Sequence, residues 1–285
     1  MSEDLKTRVV ELEQQVQNYE RLLRQANDKL LQLASDLASD LDWALKLQKK
    51  LVPTEIPAIK GFEFSSKFTP GTRFGGDYFD IFEHDDRWKF GLFISSCSGY
   101  TVSSALMGLL IKFSTQVEAK KGLQPHELLS QLAQDLTPGF KEGDRASLFY
   151  AVVDRKTLDL HYCSAGMISV YRQEAGQEAI DFLEPVTAEL TTGFKSQFST
   201  RTVSLHPGDR LVICTPGLLS PGQTRENAWG AENLIDAWRS ASKKGVHELR
   251  NEILYKQQLF YHSQDPVRDQ SLIVMEVQDR IIKLA

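Results

Sequence analysis

At 285 residues the chain has room for one large domain or two small ones with a sizeable core. Its 41% hydrophobic and 25% charged residues are those of an ordinary soluble globular protein. A formal net charge of -5 argues against bulk nucleic-acid binding, and no apolar run approaches the ~20 residues that span a membrane.

The N-terminus is charged and polar, with no signal-peptide core. Cys97, Cys163 and Cys214 are widely spaced and in no C-x-x-C pairing, which suggests neither a disulfide framework nor a zinc site. All three sit in or beside apolar runs and read as small buried hydrophobes. A reduced, cytoplasmic setting is expected.

Residues 1–51 form a region of their own. With Val9 at heptad position a, the a positions are Val9, Val16, Leu23, Leu30, Leu37, Ala44 and Leu51. The d positions are Leu5, Leu12, Tyr19, Ala26, Leu33, Asp40 and Leu47. Asp40 alone interrupts the seam, and no Pro or Gly breaks it. The stripe is narrow and does not drift as a 3.6-residue period would. It therefore predicts a coiled coil rather than a lone amphipathic helix lying on the globular part. A seam needs a second strand, so a homodimer through Val9, Leu12, Val16, Tyr19, Leu23, Leu30, Leu33 and Leu37 is expected, most simply a parallel one. Pro53 ends the helix. The expected division is 1–51 as coiled coil and 52–285 as globular domain.

From Gly61 the period changes. Phe62 to Phe68 alternates as a strand, and Asp77 to Glu83 with Trp88 to Ile94 reads as a hairpin turning at His84-Asp85-Asp86-Arg87. Ser95 to Gly99 reads as a small-residue turn opening an apolar helix, Val102 to Ala119, that looks buried. His126 to Leu136 is a second helix, entered after Pro125 and left before Pro138. Strands follow at Leu148 to Val153, Leu158 to Cys163, Val170 to Arg172, Ile180 to Leu183, Thr200 to Leu205 and Arg210 to Cys214. Helices at Glu232 to Ser242 and His247 to Phe260 precede a closing strand, Ser271 to Val277. Strands, two helices, more strands, then helices and a strand is an α+β layout.

Several short segments carry a resemblance in a fixed order. Phe74-Gly75-Gly76-Asp77-Tyr78-Phe79-Asp80 resembles V-G-G-D-Y-Y-D, and Ile94-Ser95-Ser96-Cys97-Ser98-Gly99-Tyr100 resembles I-G-D-V-S-G-H with its Asp replaced by Ser96 and its His by Tyr100. The helix Ala44 to Gln48 with Leu51-Val52-Pro53 resembles A-x-x-x-Q-x-x-L-L-P. Ala146 to Tyr150 resembles A-T-L-F-Y, Ser164 to Met167 resembles N-A-G-H, Cys214 to Gly217 resembles Y-T-D-G, and Arg268 to Leu272 resembles D-D-x-T-L. Together they resemble the SpoIIE-like (RsbU-like) branch of the PPM-type, metal-dependent serine/threonine phosphatases, over roughly residues 44–278. The resemblance implies a β-sandwich flanked by helices, with a metal site at one end between the sheets. In that family the connecting helix carries signals from an upstream sensor. Here the coiled coil, or what it binds, is the expected input.

The resembled enzymes hold two Mn²⁺ or Mg²⁺ ions whose bridging water attacks phosphoserine or phosphothreonine. Hard dications need several carboxylates. Of the implied ligands this chain keeps Asp77 and Asp269, but has Ser96, Pro216 and Arg268 at the other three positions. No metal cofactor is therefore expected, and no catalytic residue is assigned. Other acids, Asp80, Glu142, Asp144 or Asp154, are the candidates for rebuilding a site. A G-x-S-x-G elbow, a cysteine-phosphatase loop, paired histidines and Walker or Rossmann glycines are all missing.

The reading is a pseudophosphatase that binds a phosphoprotein. The resemblance implies a STAS-type antagonist phosphoprotein in a partner-switching circuit, or pairing with another phosphatase; charge and hydropathy add the expectation of no nucleic acid and no membrane. Two alternatives stand beside it: an active phosphatase with an atypical Mn or Mg site, and a coiled-coil scaffold.

Overall fold

In a computed structural model of the chain, residues 3–51, 56–72, 75–98, 102–118, 122–195, 197–220, 228–262 and 264–278 are described. Val52, Pro53, Phe74, Gly99 and Tyr100, each part of a motif or boundary above, lie outside them. The chain divides into two compact units, Met1–Lys46 and Leu47–Ala285.

Helix α1 (Glu3–Leu51) supplies all the described residues of the first unit. Its residues are mainly strong helix formers, and it carries no Gly or Pro. The eight seam residues from Val9 to Leu37 named above are all 46–73% exposed on this single helix.

The second unit stacks two five-stranded antiparallel sheets. One runs β1 (Phe62–Thr69), β10 (Gln270–Val277), β9 (Arg210–Cys214), β6 (Ser169–Gln173), β7 (Ile180–Phe182). The other runs β2 (Tyr78–Glu83), β3 (Lys89–Ser98), β4 (Arg145–Asp154), β5 (Asp159–Ala165), β8 (Arg201–Ser204). Strand alternation builds three cores. In β4, Phe149, Ala151 and Val153 point between the sheets, to meet Ile213, Ile273 and Met275. Leu148, Tyr150 and Val152 point outward, under α2 (Val102–Glu118) and α3 (Pro125–Leu136). On the far face Val212, Leu272 and Val274 lie under α5 (Gly230–Ser240) and α6 (Val246–Phe260), around the fully buried Trp238. The fold is therefore α+β, a β-sandwich flanked by helices and preceded in the chain by a long helix, the architecture that the motif resemblance implies.

Two expectations need correction. Ser95 to Ser98 is not a turn: it extends β3, pairing in register from Ser95↔Leu148 to Ser98↔Arg145. Serine is short enough to lie flat where the sheets close on the site. Nor is α2 buried all round. Ser104, Gly108, Ile111 and Thr115 form its inner face, and Gly108 lets the helix approach the Gly76 backbone closely. Leu106, Leu110, Phe113 and Val117 are exposed on another face. A sheet takes only one face of a helix resting on it, and apolar composition alone does not say which.

Candidate functional site

The Gly pair before β2 exists because of what lies against it. A Cβ on Gly75 would run into the Asp269 carboxylate, and one on Gly76 into the Ser104 carbonyl and the Cys97 side chain. This close approach sets Asp77, only 4% exposed, at the open end of the sandwich. From the opposite sheet come Thr215, which follows β9, and Ser271 in β10. Thr215 Oγ1–H donates to Asp77 Oδ2 at 2.6 Å and Ser271 Oγ–H to the same oxygen at 3.2 Å. The Ser96 hydroxyl also donates to Asp77. Asp269 Oδ1 accepts the Gly71 N–H at 2.8 Å, and Oδ2 accepts the Asp77 N–H at 3.4 Å.

Asp77, Ser96 and Asp269 line a cavity of about 520 Å³ that also holds Pro216, Arg268, Arg145, Ser147, Met167 and Glu189. Pro216 opens the short helix α4 (Pro216–Leu219), and the next residue, Gly217, is pressed on the Asp269 carbonyl. Arg145 Nη1–H donates to Glu189 Oε1. Burial, and then the neighbouring Asp269 charge, push the Asp77 carboxyl up from 3.8 to about 8, against the pull of its three hydroxyl donors. A dication would reverse that, so the donor chemistry decides whether the site suits one. Ser96 turns its hydroxyl to Asp77, Pro216 has no donor atom, and Arg268 brings a fixed cation. Among the described residues no group of three or more His, Cys, Asp or Glu side chains is placed to hold a metal ion. This donor set does not match what a pair of hard dications requires.

The model of the Stage II sporulation protein E (SpoIIE) family matches residues 86–278, more than half of the chain. The chain belongs to the SpoIIE family. Phosphoserine phosphatase RsbU of Bacillus subtilis (strain 168) is 20% identical over 196 residues, 68% of this chain and 57% of RsbU. The chain thus spans little over half the length of that curated relative. Among solved structures the SiaA-PP2C domain of Pseudomonas aeruginosa aligns with a TM-score of 0.68 at 20% identity, covering 86% of this chain and 98% of that domain. A structure of RsbX in complex with magnesium aligns at 0.56 and 16% identity, covering 79% and 99%. These likenesses show the fold.

In this SpoIIE-family chain the five positions singled out by motif order, Asp77, Ser96, Pro216, Arg268 and Asp269, all line one pocket. The acids considered for rebuilding a site are elsewhere. Asp80 accepts the Tyr78 hydroxyl at 2.8 Å and the Ile81 N–H, Asp144 caps the Lys141 N–H, Asp154 holds the Lys156 N–H, and Glu142 lines a separate cavity. Sequence reasoning missed Arg145 and Glu189. Arg145 directly precedes the Ala146–Tyr150 motif, so the period-2 pattern of β4 carries it to the site. Glu189 comes from an irregular segment without a motif, and nothing local points to it. The three cysteines are buried as expected, and burial raises their thiols, Cys214 to about 12 and Cys163 to about 11.

Proposed function

We propose that this chain is a pseudophosphatase, a cytoplasmic signalling protein that binds a phosphoprotein or regulatory partner of a partner-switching circuit without hydrolysing phosphate. The observation that carries it is the cavity in which Ser96, Pro216 and Arg268 stand beside the remaining Asp77 and Asp269. Relative to the family motifs three carboxylates are gone and one cation is added. At ~4 Å each close charge pair is worth about 4 kcal/mol even at an effective dielectric of ~20, so the change works strongly against two dications. A STAS-type antagonist phosphoprotein is the partner the resemblance favours, with another phosphatase as second choice. The exposed α1 seam supports a homodimer, and it favours one further reading, a scaffold whose coiled coil does all the work.

The test is calorimetric titration of Mn²⁺ with a phosphatase assay on the same sample. The expected result is no binding tighter than millimolar and no turnover. Micromolar Mn²⁺ binding that disappears in Asp77→Ala, together with hydrolysis, establishes an active enzyme with an atypical metal site instead. A chain cut to residues 52–285 separates binder from scaffold: the binder keeps its phosphoprotein affinity and the scaffold keeps nothing.

A further inference from the structure

The carboxylates of the cavity are already met by donors. Asp77 takes the hydroxyls of Thr215 and Ser271, Asp269 takes two backbone N–H groups, and Glu189 takes Arg145. Two guanidiniums and a hydroxyl line the same space. Arg268 lines it with a guanidinium that cannot be deprotonated. Arg145, its side chain 57% exposed, engages Glu189 through Nη1, while a guanidinium carries five N–H donors. Ser147 Oγ accepts the Met167 N–H at 3.0 Å, which leaves its own hydrogen to donate.

We propose that this cavity binds a phosphate monoester directly, Arg268 and Arg145 standing in for the metal ions, and that the ester is a phosphoseryl or phosphothreonyl side chain. Planar guanidinium forks match phosphate oxygens in pairs, which a bare point charge does not. About 520 Å³ lies within the range of ligand pockets and exceeds what an inorganic phosphate needs, so the esterified side chain and adjoining backbone enter with it. Gly75, Gly143 and Gly217 line the walls without a side chain, and Met167, 45% exposed, gives an apolar edge for the residue beside the phosphate. The inference rests on the non-catalytic reading above, since a bound metal pair would occupy the same space.

The experiment uses the full chain in EDTA. Calorimetry compares a phosphoseryl peptide, the same peptide without phosphate, and inorganic phosphate. The phosphoseryl peptide is expected to bind and the unphosphorylated peptide not to. Arg268→Gln is expected to weaken binding about tenfold or more and Arg145→Gln a few-fold, because each removes charge-assisted hydrogen bonds. Arg268→Lys, which keeps the charge but not the fork, falls between. Wild-type chain that binds no phosphopeptide in EDTA overturns the proposal, as does unchanged affinity in Arg268→Gln. Inorganic phosphate binding as tightly as the peptide overturns the ester assignment. Hydrolysis of the peptide once Mn²⁺ is added overturns the non-catalytic reading, a separate signal from loss of binding in EDTA.

Discussion

Asp77 is a carboxyl whose folded pKa lies above its unfolded one, 3.8 raised to about 8. The folded state then binds the proton more tightly. Its contribution to stability is full below about pH 4 and is lost as pH rises towards about 8. Thermal melts in EDTA across this range should show wild-type stability falling with pH, and Asp77→Asn should flatten that slope. An unchanged slope in the variant would place the titration elsewhere. Gly75→Ala presses a methyl group on the Asp269 carboxylate and should cost ~1–3 kcal/mol in urea unfolding, the usual range for overpacking. Restoring carboxylates with Ser96→Asp, Pro216→Asp and Arg268→Asp together should raise Mn²⁺ affinity about tenfold or more, equivalent to ~1.4 kcal/mol, with weak turnover. No single change should suffice, because one carboxylate does not neutralise two dications.

The helices α1 and α2 each carry an apolar stripe. On α2 the two faces make opposite forecasts. Ile111→Ala should cost ~2–5 kcal/mol by opening a cavity under the helix, whereas Phe113→Ser should stay within ~0.5 kcal/mol. Chemical denaturation of both variants checks the assignment. On α1, Asp40→Leu removes a charge from an apolar seam and should raise the melting temperature, the stability gain being about 1.5–3 kcal/mol per buried leucine. A lowered value would mean that Asp40 has a polar partner in the assembled seam. At this scale the sequence was most legible. The β2–β3 hairpin and the β4–β5 pair follow from local alternation and local turns, so their ends fall within a few residues of expectation. The face of α2 was not legible, because leucines turned inward and outward read alike. Motif order brought the segments carrying Asp77, Thr215 and Ser271 to one site, but the hydroxyl contacts of Thr215 and Ser271 to Asp77, between residues far apart in sequence, were not legible. Glu189 belongs to no motif, and Arg145 lies just outside one, so only the folded β4 aims it at the cavity.

Among the described residues no helix is long and apolar enough to cross a membrane. Light scattering at micromolar concentration should give twice the 32.2 kDa chain mass, and removing Met1–Lys46 should return it to a monomer. A monomeric full chain would rule out the seam. The strand order of the first sheet has a consequence for how the protein is made. β10 lies between β1 and β9, pairing Phe62 with Val277 on one side and Leu272 with Cys214 on the other. During vectorial synthesis β1 leaves the ribosome early and waits for a partner encoded some two hundred codons later. Until then its N–H and C=O groups are an open edge. This half of the sandwich therefore closes only after translation has passed Val277, while the β2–β3–β4–β5 meander can pair as it emerges.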